Sequence, residues 1–118
     1  MVLINIEMHD KKVAKVLSDS NELVKRIGLD KAKILKRRLN EIMASDNFSE
    51  YLNIGIGKPH RLVGNLDGCY GIHLTANYRL IIEPLVDTQD NASLEECKNI
   101  NIKGVGDYHD GKCEWIIP

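Results

Sequence analysis

The feature that most constrains the fold is a change in the spacing of the apolar residues along the chain. Between residues 10 and 44, apolar side chains recur every three or four positions, which is the period of an amphipathic helix. From residue 68 onward, the segments "GCYGIHL" and "YRLIIEP" alternate in the manner of strands. A chain that places its helices before its strands buries both by packing the helices on one face of the sheet. The sequence therefore predicts an α+β fold.

Two helices are predicted between residues 10 and 44. The first begins after Asp10, a residue type favoured at the N-cap, and Gly28 is expected to end it. Asp30 is predicted to cap the second helix. The polar residues 18–21, "SDSN", leave open whether the first helix is continuous. The second helix has one apolar side, formed by Ala32, Leu35, Leu39, Ile42 and Met43.

The remaining segments complete the expected architecture. Residues 2–8 are predicted to form an N-terminal strand, residues 68–84 a β-hairpin, and residues 99–105 one more antiparallel strand. Residues 47–61 are expected to be an irregular connection, and residues 85–98 an acidic, solvated excursion. The predicted order is an N-terminal strand, two helices and a three-strand antiparallel meander, with the helices on one face of the sheet. The other face is left open for function.

Length and composition indicate an ordinary globular protein. A chain of 118 residues is large enough to bury one core, so residues 1–118 are predicted to form a single domain. The three cysteines form no CxxC pair, which fits a reducing compartment. No secretory signal and no apolar run of membrane-spanning length is recognisable, so we expect a cytoplasmic protein without a membrane partner.

The net charge of −1 conceals an uneven distribution. The first 61 residues carry 12 Lys and Arg against 8 Asp and Glu, whereas the rest of the chain carries 4 against 9. Seven of the basic side chains fall within residues 25–38. Such a cluster attracts phosphate, although a charged helix face commonly just faces solvent. The candidates for RNA contact in this segment are Lys36, Arg37 and Arg38.

Several short patterns occur in one order along the second half of the chain. They are "KPHRLVGNLDGCYGIHL", "NYRLIIEP", an acidic excursion, and "VGDYH". In this order and spacing the sequence resembles the RelE/ParE toxin superfamily of bacterial toxin–antitoxin systems, most closely the HigB-like branch, also called plasmid maintenance killer proteins. The pattern covers residues 58–109, and the preceding strand and helices are compatible with the family in order but not specific in sequence.

The resemblance implies a ribosome-dependent endoribonuclease that cleaves translated mRNA and is neutralised by a cognate antitoxin protein. It also implies the RelE-like arrangement of helices on one face of an antiparallel sheet. Lys58 and Arg61, which lie on either side of His60 within the first motif, become candidates for RNA binding. The family's catalytic group maps onto His60, Arg79, Asp107, Tyr108 and His109.

Cleavage of RNA without a metal needs a base for the ribose 2′-OH, an acid for the departing 5′ oxygen, and a cation for the charge on phosphorus. Imidazoles titrate near neutral pH, so His60 and His109 are expected to handle the protons, with Asp107 orienting an imidazole or itself accepting a proton. Arg79 is expected to hold the phosphate oxygens, and Tyr108 to stack on a base or donate its phenol hydrogen. Which group is the base stays open. This scheme requires positions 60, 79 and 109 to converge.

Each of these assignments has an alternative. Asp-Tyr-His at a strand end is commonly surface polarity, and Arg79 is also placed to pair with Glu83 or Asp107 across the sheet. His73 alternates with Ile72 and Leu74, which makes it a candidate to line the same open face, but a solvated sheet histidine is the favoured interpretation. At the level of the whole protein, the alternatives are a ParE-like toxin that inhibits DNA gyrase by binding, or a catalytically degenerate relative. The second is suggested by Val63, where the family commonly has Lys, and by the slightly acidic net charge, since members of the family are usually basic.

The sequence contains no pattern that indicates a metal or cofactor. Four His and three Cys show none of the short-spaced pairs of a zinc site, and "GIGKPH" lacks the final Ser or Thr of a phosphate loop. We therefore expect neither a metal nor a cofactor. At the C-terminus, Trp115 within "CEWIIP" is expected to pack on the core.

Overall fold

The computed structural model describes residues 3–109 and 112–118. Within these residues the chain forms a mixed sheet flanked by helices, so the predicted α+β class is confirmed. A single 3₁₀ turn at Gly64–Leu66 follows the second strand. The helices are α1 (Lys11–Leu17), α2 (Ser20–Ile27), α3 (Leu29–Met43), α4 (Phe48–Ile54) and α5 (Asn91–Glu96). The strands are β1 (Asn5–Glu7), β2 (His60–Arg61), β3 (Tyr70–His73), β4 (Tyr78–Pro84), β5 (Asn99–His109) and β6 (Lys112–Ile117).

The sheet has the order β1-β5-β4-β3-β2, and β6 pairs with β5 beyond the stretch that β1 occupies. Strands β3, β4 and β5 form the predicted antiparallel meander. β1 runs parallel to β5, so the N-terminal strand joins the sheet next to the last strand of the meander. The short strand β2 and the C-terminal strand β6 were not predicted. β2 extends the sheet beyond β3, and β6 extends it along the outer side of β5.

The helical region is divided more finely than predicted. The residues that the sequence left undecided break the first helix, because Asp19 caps a new helix by accepting hydrogen bonds from the amides of Asn21 and Glu22. Asp10 caps α1 as predicted. Gly28, with φ of 87°, ends α2 and directly precedes α3. The prediction that Asp30 caps the next helix was wrong, since Asp30 lies in the first turn of α3.

The two segments expected to be irregular each contain a short helix. Asn47 caps α4, whose Phe48 and Tyr51 side chains are fully buried. Asp90 caps α5, which places Leu94 in the core. Helices of six or seven residues carry too few apolar positions to display a helical period. Their existence therefore depends on a cap and on packing rather than on a visible pattern.

The core lies mainly between the helices and one face of the sheet. Leu80 and Ile82 of β4 point into this main core, together with Ile100 and Val105 of β5. The pairing of β4 with β5 contains a β-bulge between Ile81 and Ile82. Ile81 points the other way, into a second, small cluster with Leu62, Cys69, Leu66 and Tyr108. We call the face that carries this small cluster the open face.

The C-terminal strand is only partly buried. Ile117 is fully buried against the main core, but Trp115 is 43% exposed, so the expectation that it packs on the core was wrong. Trp115 lies on β6, where it pairs with Gly106 of β5. No helix among residues 3–109 and 112–118 combines the length and apolarity needed to cross a bilayer.

Candidate functional site

Strand register places three polar side chains, those of His60, His73 and Arg79, on the open face. His73 pairs with Arg79 across β3 and β4, and Arg79 pairs in turn with Gly106 of β5. Directly paired residues of an antiparallel sheet share a face, so His73 and Arg79 lie side by side. His60 of β2 pairs with Gly71, two positions before His73. Because side chains two positions apart share a face, His60 lies on this face as well.

Arg79 lies at the centre of this group. Its Nη1 lies 3.3 Å from Nε2 of His60, and its Nη2 donates to the carbonyl of Ala76 at 3.1 Å. The guanidinium carbon lies 5.1 Å from the ring centroid of Tyr108, a cation–π distance. The contacts draw together side chains of β2, β4 and β5. His60, Arg79 and Tyr108 are three of the five predicted catalytic residues.

No carboxylate neutralises Arg79 within the part of the chain that the structure describes. The alternative pairing with Glu83 or Asp107 is therefore not formed. The guanidinium is half-buried, and its Nε is buried without any hydrogen-bond partner among the same residues. Charged groups withdrawn from water are normally paired, so this arrangement is suited to receiving an anion.

The two imidazoles contact each other. The rings of His60 and His73 lie 5.9 Å apart between centroids, with an interplanar angle of 81°. Nδ1 of His60 is 3.2 Å from the carbonyl of Lys58, to which it donates if it carries the proton. In that tautomer, Nε2 accepts from Arg79. Gly71 leaves room for the His60 ring, since a Cβ there would lie 3.4 Å from Cε1.

Burial lowers the pKa of His73 below its usual value, and the neighbouring basic groups of Arg79, His60, Lys58 and Arg38 lower it further. His73 is therefore held in its neutral form at neutral pH, in which it can accept a proton. From the sequence, a solvated sheet residue is favoured for His73 over one that lines the open face. Its alternation with Ile72 and Leu74 was the signal that it shares a face with Arg79.

Tyr108 lies at the edge of the small cluster of the open face. Burial raises its pKa to about 12, and the neighbouring Cys113 contributes in the same direction. The phenol is therefore protonated at neutral pH and remains a hydrogen-bond donor. Its ring makes the cation–π contact with the Arg79 guanidinium.

Asp107 and His109 do not join this group. In β5 they flank Tyr108, and alternation along a strand turns them to the opposite face. Asp107 pairs with Tyr78, which packs against the main core, and the His109 ring lies 3.6 Å from Asp107 and 3.5 Å from Glu114. The expected convergence of His109 with His60 and Arg79 was therefore wrong. Whether Asp107 and His109 take part in catalysis stays a prediction.

The basic residues near the first motif are accessible. Lys58 is exposed and adopts a positive φ of 50°, and its carbonyl is the one that faces His60. Arg61 is exposed and lies 3.6 Å from the carboxylate of Asp67. An exposed pair at this distance is weak and exchanges readily with another anion.

The basic helix is less uniform than its sequence indicates. Arg38 is half-buried, with Nη1 2.9 Å from Glu41 and Nε donating to the carbonyl of His73 at 3.2 Å. It therefore holds the end of β3 against α3. Lys36 donates to the hydroxyl of Ser20 at 3.2 Å, and Arg37 is exposed. RNA contact by this helix stays a prediction.

Gly57 makes the Arg38 contact possible. Its carbonyl accepts a hydrogen bond of 2.7 Å from the amide of His73. A Cβ at this position would lie 2.8 Å from Nε of Arg38 and 2.6 Å from Cγ2 of Ile72. The glycine of the "GIGKPH" segment thus allows the loop and the arginine to meet at the strand that carries His73. Within residues 3–109 and 112–118, no group of three or more His, Cys, Asp or Glu side chains is placed to hold a metal ion.

Solved structures of YoeB from Staphylococcus aureus share this architecture. A chain of its YoeB–YefM complex has a TM-score of 0.53 at 22% identity, over 90% of this chain and 97% of that chain. The chain has the fold of YoeB. A heterotetrameric YoeB–YefM toxin–antitoxin complex from the same organism gives the same values, and the YoeB dimer gives a TM-score of 0.54 at 21% identity, over 91% of this chain and 98% of that chain. No protein-family model and no curated protein sequence matches the chain.

Proposed function

We propose that this protein is the toxin of a toxin–antitoxin pair and acts as an endoribonuclease on mRNA in the ribosome. The observation that carries the proposal is the half-buried Arg79 guanidinium, which has no carboxylate partner among the described residues and contacts His60 and Tyr108. A cation beside two imidazoles is the equipment that metal-free phosphodiester cleavage requires. The shared fold with YoeB supports the same interpretation.

In the proposed reaction, a phosphodiester binds at Arg79 and displaces the contact between the guanidinium and His60. One imidazole removes the proton from the ribose 2′-OH, and the 2′ oxygen attacks phosphorus. The bond from phosphorus to the 5′ oxygen breaks, and the other imidazole supplies the proton which that oxygen needs. The products are a 2′,3′-cyclic phosphate and a free 5′-OH. His60 and His73 are the two imidazoles that lie close enough to share one phosphodiester.

Arg79 stabilises the charge that develops on the phosphate oxygens, because a guanidinium offers several N–H donors in a fixed plane. Its two hydrogen bonds to protein, through Nη1 and Nη2, leave further donors for the phosphate. Tyr108 supports the guanidinium and keeps its phenol proton at neutral pH. Asp107 and His109 lie on the opposite face of β5. In this scheme they act indirectly, by holding Tyr108 in position.

The proposal includes a cognate antitoxin, as the YoeB–YefM complexes are toxin–antitoxin assemblies. The motifs in residues 58–109 favour the HigB-like branch of the superfamily. Lys58, Arg61 and Arg37 are exposed and would contact either RNA or an acidic segment of the antitoxin. Binding of the antitoxin is then partly electrostatic, and its affinity falls as ionic strength rises.

The test is cleavage of mRNA on programmed ribosomes by the purified protein. Wild type is compared with Arg79→Ala, His60→Ala and His73→Ala, and with His9→Gln as a control histidine that lies near Glu7, away from the site. Loss of one acid or base catalyst typically lowers the rate by about 10²–10⁴-fold. We expect losses of this order in the three site variants and an unchanged rate in the control.

The same preparation discriminates the alternatives. No cleavage by wild type, together with inhibition of DNA gyrase, would replace the nuclease proposal with the ParE-like one. If neither activity is found, the degenerate relative is the correct interpretation. His109→Ala and Asp107→Ala decide the role of the far-side pair: losses equal to that of His60→Ala would contradict the roles assigned here.

A further inference from the structure

A groove with a volume of about 420 Å³ lies on the open face, next to the Arg79 group. One wall comes from β2 and the following 3₁₀ turn, and the other from the paired strands β5 and β6. Pockets of this size bind small organic groups. The side chains that matter for the argument are Leu62, Asn65, Leu66, Tyr108, Cys113 and Trp115.

Trp115 is the prominent aromatic group of this groove. Trp115 of β6 pairs with Gly106 of β5, and Gly106 pairs on its other side with Arg79 of β4. A residue without a side chain therefore separates the indole from the guanidinium. Gly106 is buried, and a Cβ there would overlap the Sγ atom of Cys113. The Cys113 side chain therefore covers Gly106, next to the Tyr108 ring, and these two side chains lie between the cation and the indole. Trp115 is 43% exposed although it lies within a paired strand.

The groove and the proposed phosphate position share a side chain. Tyr108 lines the groove and also lies 5.1 Å from the Arg79 guanidinium carbon. The floor is apolar, since Leu62 is buried and Leu66 packs against the same cluster. Polar groups lie at the rim, where Asn65 and Arg61 are exposed. An apolar slot with an aromatic wall and a polar rim fits a flat heterocycle with hydrogen-bonding edges.

We propose that this groove is a nucleobase subsite, in which a base of single-stranded RNA stacks on Trp115 while its neighbouring phosphate lies at Arg79. The inference rests on the proposed function, because it assigns a second contact to the same RNA. Single strands are bound in this way elsewhere, by aromatic side chains next to basic ones. Asn65 at the rim has both a donor and an acceptor for the edge of the base. Trp115 thus holds the nucleotide next to the cleaved bond, whichever base it carries, because every base can stack on an indole.

Trp115 is the only tryptophan in the chain, so its fluorescence reports directly on the groove. The probe is a 2′-O-methyl trinucleotide, which lacks the attacking hydroxyl and is not cleaved. It is compared with the same trinucleotide carrying an abasic central position. We expect saturable quenching by the first and a roughly 5- to 150-fold weaker affinity for the second, the range that loss of one stacked base produces. Equal binding of the two probes, or no quenching by either, would overturn the proposal.

Variants separate stacking from a general loss of structure. Trp115→Ala is expected to weaken binding of a fluorescein-labelled trinucleotide about as much as removal of the base does. Trp115→Tyr keeps an aromatic ring and should restore most of the affinity. Leu29→Ala is the matched control, because Leu29 is a large apolar residue, 55% exposed, on a helix away from the groove. An equal loss in the Tyr variant would contradict the stacking role.

These outcomes are distinguishable from failure of the proposed function. Base-dependent quenching by a protein that does not cleave mRNA on ribosomes would retain the subsite and remove the nuclease. Cleavage by a protein that binds the intact and abasic probes equally would retain the nuclease and remove the subsite.

Discussion

Replacement of Gly104 by alanine tests the geometry that joins β6 to the sheet. Gly104 has a φ of 146°, which side chains rarely adopt, and a Cβ there would overlap the carbonyl oxygen of Ile117. The same Cβ would lie 3.0 Å from the carbonyl carbon of Ile117 and 3.1 Å from that of Pro118. All three are backbone atoms, so a side-chain rotation does not relieve the overlap.

The backbone conformation costs about 1–3 kcal/mol for a residue other than glycine. The overlap adds about 1–3 kcal/mol, as small-to-large changes in packed regions do. The loss of glycine entropy in the unfolded chain returns about 0.4–1 kcal/mol. Gly28→Ala is the matched control, because Gly28 has φ of 87° and ψ of 159° but no heavy atom within 4 Å of its Cβ position. The two variants therefore differ mainly by the overlap.

The assay is urea unfolding followed by circular dichroism. With a slope of about 2 kcal/mol per M, in the middle of the usual range for urea, we expect the midpoint of Gly104→Ala to lie about 0.5–1.5 M below that of Gly28→Ala. Because β6 carries Trp115, the emission spectrum of folded Gly104→Ala should also shift, whereas that of Gly28→Ala should not. Equal midpoints would refute the reasoning that this close approach fixes β6 against β5.

Three further predictions concern the elements that support the site. Asp19→Ala removes the cap that separates α1 from α2 and should lower the free energy of unfolding by about 1 kcal/mol, with Asp19→Ser retaining most of it, as measured by chemical denaturation. Tyr51→Phe removes the 2.8 Å hydrogen bond to the carbonyl of Ile56 and should cost about 0.5–1.5 kcal/mol in the same assay; no change would show that water replaces the phenol. The pKa of His73 is lowered in the folded state, so the unfolded chain binds more protons, and stability should fall as pH drops from 7 through 6.5 and below. His73→Gln should have a shallower dependence on pH over that interval, and an identical slope would contradict this.

How much of the site followed from the sequence differs from residue to residue. Arg79, His60 and Tyr108 were all proposed from short motifs, and they contact one another in the structure. His109 was proposed on the same basis but lies on the other face. The motif identifies the strand, whereas alternation within the strand decides the face. Asp-Tyr-His in consecutive strand positions cannot direct all three side chains to one side.

The sequence by itself determined the fold class, the three strands of the meander, the apolar side of α3, and the caps at Asp10 and Gly28. These features depend on local periods and on residues a few positions apart, which the chain displays directly. The tertiary structure decided the short helices α4 and α5, the added strands β2 and β6, the neutral His73 beside His60, and the exposed Trp115 across Gly106. Each of these depends on contacts between residues far apart in the chain. Strand register and burial establish such contacts, and they exist only once the sheet is assembled.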